Sequence, residues 1–124
     1  MTAVPDRVAV LAEDDAALRG ILCRVLGMRG FRVVAEDDGR RALDACLAEK
    51  PALIVTDLHM PGLSGTELVK AARAAGLDAP ALLMSSSPSI DAQDLPRREK
   101  KVALLSKPFP LDAFVKAVER LLAS

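Results

Sequence analysis

Three carboxylates and one ammonium group stand at the ends of short apolar runs in this chain. Asp57 follows Ala52-Leu53-Ile54-Val55-Thr56 and opens into Leu58-His59-Met60-Pro61-Gly62. Glu13 and Asp14 follow Val8-Ala9-Val10-Leu11-Ala12, and Lys107 follows Val102-Ala103-Leu104-Leu105-Ser106. A carboxylate placed where a buried strand opens into a proline–glycine loop is rigidly held and still reachable by solvent. Three such acids in one pocket repel one another and need a counter-charge. Mg²⁺ suits them, because it takes oxygen ligands, keeps several waters and binds one or two carboxylates together with phosphate oxygens. A carboxylate can also act as a nucleophile toward phosphorus. The charge spread over a transferring phosphoryl group is then met by metal, lysine and hydroxyl donors. Ser85, ending Ala81-Leu82-Leu83-Met84, supplies a hydroxyl of that kind.

Such a site needs strands that finish on one edge of a sheet. Apolar runs cover about residues 8–12, 31–35, 52–56, 81–85 and 102–106. Between them lie segments with apolar residues three and four apart. The first holds Leu18, Ile21, Leu22, Val25 and Leu26 and ends near Gly27 or Gly30; the second holds Ala42, Leu43, Cys46 and Leu47 and ends before Pro51. The third holds Leu68, Val69, Ala72 and Ala75 and stops at Gly76; the last holds Leu111, Phe114, Val115, Val118, Leu121 and Leu122. Ser64 and Glu67 have the spacing of a capping box, and Asp37-Asp38-Gly39 marks a turn. Continuous apolar strands alternating with helices predict a parallel sheet covered on both faces. Five such units make a doubly wound α/β fold, whose ligands gather at the carboxyl ends of the strands. Glu13, Asp14, Asp57, Ser85 and Lys107 all occupy those ends, so architecture and residue chemistry agree. The fourth helix is the weak element. The segment from Ser85 to Lys101 holds Pro88 and Pro96 and few apolar residues. Pro96 would break a helix begun near Ser89 or Asp91, so a short or irregular helix is expected.

A chain of 124 residues is long enough for one domain with a single core. Half of it is hydrophobic, yet its only aromatic residues are 3 Phe, so the core must be aliphatic. A formal net charge of zero gives no overall footprint for nucleic acid. The cluster Arg97, Arg98, Lys100 and Lys101 is the local exception and reads as solvated surface. Cys23 and Cys46 form no metal-type or redox-type pair; both fall at apolar helix positions, where a free thiol packs as a small hydrophobe. No stretch approaches the apolar length of a membrane span and no signal peptide opens the chain. A cytoplasmic location is expected, with neither membrane nor direct nucleic-acid contact.

Taken together, these residues resemble the receiver domains of bacterial two-component response regulators, over essentially the whole chain. Val10-Leu11-Ala12-Glu13-Asp14-Asp15-Ala16-Ala17-Leu18-Arg19 resembles the family's first strand, acidic pair and first helix. Leu53-Ile54-Val55-Thr56-Asp57-Leu58-His59-Met60-Pro61-Gly62-Leu63-Ser64-Gly65 resembles the phosphoacceptor strand and its loop. Ala79-Pro80-Ala81-Leu82-Leu83-Met84-Ser85 resembles the fourth strand with its switch hydroxyl, and Ser106-Lys107-Pro108-Phe109 the lysine motif. The resemblance implies a flavodoxin-like five-stranded sheet of order 2-1-3-4-5. Helices one and five would cover one face and helices two to four the other, with Cys23 and Cys46 too far apart to bridge. It also implies that Asp57 receives phosphate from a histidine kinase or a histidine phosphotransfer protein. Asp14 and Asp57 would bind Mg²⁺ with the His59 backbone carbonyl as a third protein ligand, and Glu13 would act through metal-bound water. Lys107 would pair with the phosphoryl oxygens, Ser85 would hydrogen-bond one of them, and the Lys107–Pro108 bond would be cis. From the three consecutive acids alone, the pair is either Glu13–Asp14 or Asp14–Asp15. The family's arginine five positions past the metal acid, here Arg19, selects Asp14, with Glu13 its neighbour and Asp15 the N-cap of the first helix.

The chain departs from the family's pattern in two places. Leu104 stands where the family often carries the aromatic half of a switch, three positions before the lysine. Glu99-Lys100-Lys101 stands where small residues usually precede the last strand. His59 and Ser87 lie two residues after the acceptor and after the hydroxyl residue, positions that in the family tune access of water to the phosphoryl group. Residues 1–124 are expected to form a single receiver domain with no effector domain. It would be no enzyme beyond catalysing its own phosphorylation and dephosphorylation, and would signal by a population shift. Output would pass through protein–protein contact with an unidentified partner, or a homodimer, at the face of the fourth helix, fifth strand and fifth helix. Two rival readings stand beside this one. A phosphatase with an aspartyl nucleophile would need a second acid where His59 stands. A degenerate receiver scaffold would have no need of the five-residue set.

Overall fold

The strand segments are short, aliphatic and free of interior glycine or proline, which suits a buried sheet. In a computed structural model they form β1 (Val8–Ala12), β2 (Arg32–Glu36), β3 (Leu53–Asp57), β4 (Ala81–Ser85) and β5 (Val102–Ser106). The structure describes residues 7–86 and 101–123. Every pairing is parallel, and the sheet order is β2-β1-β3-β4-β5. All five residues of β1, β3 and β4 are buried, while the edge strands β2 and β5 are only partly covered. The described helices are α1 (Ala16–Met28), α2 (Gly39–Glu49), α3 (Gly65–Ala74) and α4 (Leu111–Ala123), the last helix of the chain. The irregular helix expected before β5 lies outside the described residues, as do Ser87 and the basic cluster except Lys101.

Two core layers sandwich the sheet. One packs Val10, Ile54 and Leu83 against Ala42, Cys46, Leu68 and Ala72 from α2 and α3. The other packs Leu11, Val55 and Met84 against Leu22 and Leu26 from α1 and Phe114, Val118 and Leu121 from α4. Cys23 packs against this second layer, so the two free thiols lie on opposite faces, as expected. Three residues of the helix stripes face solvent instead: Ile21, Leu47 and Leu111 are 43%, 46% and 44% exposed. Ile21 and Leu47 sit at the margin of their stripes, where the helix surface turns away from the sheet.

Helix starts lie on the side where the strands end. Asp15 caps α1 and accepts from the Ala17 and Leu18 N–H groups at 3.0 and 3.3 Å. Asp38 caps α2, so the predicted Asp37-Asp38-Gly39 turn is a helix entry. Ser64 and Glu67 complete the capping box of α3, with bonds of 2.9 and 3.1 Å. That helix ends at Ala74 with Ala75 as its C-cap, and Gly76 follows at φ +87°. Two strands begin and end one residue later than the apolar runs suggested. Asp57 is therefore the last residue of β3. Parallel pairing uses main-chain groups, so the ladder is not stopped by the polar residues Glu13 and Asp57: Glu13 N–H donates to Glu36 O at 3.0 Å and Leu58 N–H to Met84 O at 2.9 Å.

Candidate functional site

β1, β3, β4 and β5 deliver their terminal residues to one edge of the sheet. Glu13 is fully buried and Asp57 keeps 8% exposure. Lys107 follows β5, its N–H donating to Ser85 O at 2.7 Å. Its ammonium lies 2.6 Å from Asp57 Oδ2 and 2.8 Å from Glu13 Oε1. The other oxygen of each acid is also held. His59 N–H donates to Asp57 Oδ1 at 3.0 Å, and Asp15 N–H to Glu13 Oε2 at 3.1 Å. Asp14 is exposed, yet carboxylate oxygens of Glu13, Asp14 and Asp57 all lie within 4.8 Å of one another. Ser85 ends β4 with its side chain buried, and His59 places its side chain at the solvent-exposed rim. The sequence-predicted set of Glu13, Asp14, Asp57, Ser85 and Lys107 therefore gathers at one edge.

Charge and burial compete within this cluster. Burial pushes the Glu13 carboxyl upward, and the opposing pull of Lys107 and the Asp15 amide does not cancel it. Burial drags the Lys107 ammonium downward, but its hydrogen bonds to Asp57 and Glu13 prevail and hold it above the usual lysine value. Lys107 is therefore firmly cationic at neutral pH. One ammonium does not balance three carboxylates. The remaining donors are hard oxygens, and Asp14 opens to solvent as an entry path. This donor set fits a small divalent cation such as Mg²⁺.

A family model described as the response regulator receiver domain matches residues 9–119. This chain belongs to that family. It is 33% identical over 119 residues to the response regulator MprA of Mycolicibacterium vanbaalenii, covering 96% of this chain and 51% of that protein. It is 32% identical over 113 residues to the C4-dicarboxylate transport transcriptional regulatory protein DctD of Pseudomonas aeruginosa, covering 91% and 24%. The receiver thus spans from a quarter to about half the length of these curated relatives. Among solved structures it resembles the chemotaxis response regulator CheY4 of Vibrio cholerae, with TM-score 0.82, 26% identity and coverage of 93% and 98%. It also resembles the receiver domain of the hybrid histidine kinase CckA, with TM-score 0.77, 28% identity and the same coverage.

Receiver domains accept a phosphoryl group in two-component signalling, and this receiver carries the family's five-stranded fold and acidic pocket. They are in general signalling domains and work with histidine kinases and output domains. Among the described residues, no helix is long and apolar enough to cross a membrane. The Lys107–Pro108 peptide is cis, as the resemblance implies. Leu104, in place of an aromatic residue, packs half-buried against the layer that holds Leu83. Two parts of the site escaped the sequence. Arg19 reaches back from α1 so that its guanidinium donates to Glu13 O at 2.9 Å and Asp14 O at 3.5 Å. Asp15 caps α1 as expected, but its N–H also holds Glu13, a bond the sequence did not announce. An arginine one turn inside a helix that follows an acidic strand end was the available signal.

Proposed function

We propose that Asp57 is the phosphoacceptor of this receiver, taking its phosphoryl group from a phosphohistidine on a histidine kinase or a histidine phosphotransfer protein. Asp14, Asp57 and the His59 backbone carbonyl would hold Mg²⁺, with Glu13 reaching it through bound water. One contact carries this assignment: a single lysine ammonium bridges Asp57 at 2.6 Å and buried Glu13 at 2.8 Å, at the edge where Asp14 opens to solvent.

The chain's own groups do most of the work. Lys107 and the His59 N–H fix the Asp57 carboxylate from both sides, so it presents one orientation to an incoming phosphorus atom. A carboxylate oxygen attacks phosphorus, the phosphorus–nitrogen bond breaks, and the imidazole nitrogen leaves with the electron pair and takes up a proton. Mg²⁺, when bound, neutralises charge on the equatorial oxygens. Once Asp57 is phosphorylated, its carboxyl group has lost its own charge, and the Lys107 ammonium, still tied to Glu13, pairs with a phosphoryl oxygen. The Ser85 hydroxyl bonds another. Output then passes by protein–protein contact, to a partner or a second copy, at the face shared by β5 and α4. We place this single receiver unit in the cytoplasm, where free thiols such as Cys23 and Cys46 persist.

Incubation with Mg²⁺ and acetyl phosphate tests the assignment. Intact mass rises by one phosphoryl group, and Asp57→Asn abolishes the rise. A mass gain that persists in Asp57→Asn overturns it.

A further inference from the structure

α2 contributes no carboxylate to the acidic cluster, yet its first residues bear directly on the loop after β3. That loop, residues 58–64, begins beside Asp57 and includes His59, whose N–H orients Asp57. Its ends are fixed: Leu58 N–H donates to Met84 O at 2.9 Å, and Gly65 N–H closes the loop on Leu58 O at 3.0 Å. Its middle rests on α2. The N–H of buried Gly39 donates to Pro61 O at 2.8 Å. A Cβ on Gly39 would fall onto the Leu63 carbonyl oxygen, and within 2.8 Å of its carbonyl carbon and 2.9 Å of its nitrogen. Across the same seam Gly62 stands at φ +84°, and a Cβ there would come within 2.8 Å of Asp38 Oδ1. That oxygen is committed as the α2 cap, accepting from Arg40 N–H at 2.8 Å and Arg41 N–H at 3.1 Å. The seam at Gly39 is backbone against backbone, and main chain held at both ends cannot step aside as a flexible side chain would.

We infer that Gly39 is a positioning residue for phosphoryl acceptance: its missing side chain sets how closely the 58–64 loop seats against α2, and through that seat the alignment of the His59 amide on Asp57. The inference rests on Asp57 being the acceptor. A methyl group at position 39 displaces Leu63, and the displacement propagates along a loop pinned beside the reacting carboxylate.

Three variants test it: Gly39→Ala, Gly62→Ala and the double variant Gly20→Ala/Gly39→Ala. A Cβ at Gly20, on the exposed side of α1, meets nothing within 4 Å. Alanine there strengthens the helix without touching the seam. Gly39→Ala should slow acceptance from acetyl phosphate with Mg²⁺ on the order of a hundredfold, the cost of misplacing a reacting group by about an ångström. It should also raise the half-saturating Mg²⁺ concentration. The His59 amide resonance should shift and exchange faster with solvent before Mg²⁺ or donor is added. The double variant should regain denaturation midpoint while acceptance stays slow. Gly62→Ala presses the same seam from the loop side and should reproduce the His59 shift, and it carries the test if Gly39→Ala does not fold. Wild-type acceptance by Gly39→Ala overturns the inference, as does acceptance that recovers in step with the midpoint in the double variant. If the wild type itself takes no phosphoryl group, the assignment of Asp57 fails instead, and the His59 amide still decides whether the seam positions the loop.

Discussion

Replacing Asp14 by Asn should make the metal-free protein more stable, against the usual direction for a point substitution. Carboxylate oxygens of Glu13, Asp14 and Asp57 lie within 4.8 Å of one another. Two unit charges at that separation repel by about 3.5 kcal/mol at an effective dielectric constant of about 20. Lys107 bridges Glu13 and Asp57 and leaves Asp14 aside. Asp14 is solvent-exposed, so screening brings the relief at each partner to below about 1 kcal/mol. Asp14→Asn should therefore gain about 1 kcal/mol in total, or about 3–6 °C in Tm for a chain of this length. Mg²⁺ tests the same charges from the other side. At about ten times its dissociation constant it stabilises the wild type by about 1.4 kcal/mol through mass action, and Asp14→Asn should forfeit most of that increment. With 0 Trp and 0 Tyr the chain offers no useful fluorescence, so thermal unfolding is followed by far-ultraviolet circular dichroism with and without Mg²⁺. The charge argument is refuted if the variant is less stable than the wild type without Mg²⁺, or if both proteins gain equally when Mg²⁺ is added.

Two further predictions concern groups away from the pocket. The Ser64 backbone N–H, then its hydroxyl, holds the Glu67 carboxyl below the ordinary carboxylate value. A lowered pKa in the folded state contributes stability above the unfolded value of 4.5, and that contribution is lost as pH falls through the folded value. The difference in urea midpoint between wild type and Glu67→Gln should accordingly shrink as pH drops from about 6 to about 3; a constant difference counts against the capping box. Burial pushes the Cys46 thiol up to about 12, so almost no thiolate is present near neutrality. A thiol reagent at about pH 8 should label Cys46 only as the protein unfolds, and prompt labelling in native buffer would mean that the α2–α3 side of the core opens freely.

The acids and the lysine were legible because each breaks an apolar run at its end, and a parallel sheet brings such ends together. The helix entries at Asp15 and Ser64 were legible for a similar reason, since their capping groups act within three residues. What stayed hidden depends on partners far along the chain. β2 and β3 each run one residue later than their apolar segments because main-chain pairing, not hydropathy, sets the last rung. Asp37-Asp38-Gly39 looked like a turn. Gly39 matters because of Leu63, and nothing in the local pattern announces that neighbour. Arg19 served only to fix register, yet its guanidinium reaches back across the β1–α1 loop to the carbonyl of Glu13, a contact with no period to betray it.

The two acids nearest Lys107 share one local device. In each case the N–H two residues further on turns back to a carboxylate oxygen: Asp15 to Glu13, His59 to Asp57. A doubly wound fold makes this natural. Every strand must leave the sheet and turn toward a helix, and the chain between them has amide groups free to bond a side chain. An acid at the last strand position, as Asp57 is, or just past it, as Glu13 is, lies within reach of such an amide, whereas an acid inside the strand finds its neighbours engaged in the ladder. Each carboxylate is then gripped at one oxygen by its own loop and at the other by Lys107. The side-chain entropy of ordering the pocket is therefore lost on folding rather than when metal or phosphoryl group arrives. On the proposal that Asp57 accepts the phosphoryl group, the backbone seat of its loop bears on the chemistry: moving the loop moves the His59 amide, and that amide is half of what orients the carboxylate.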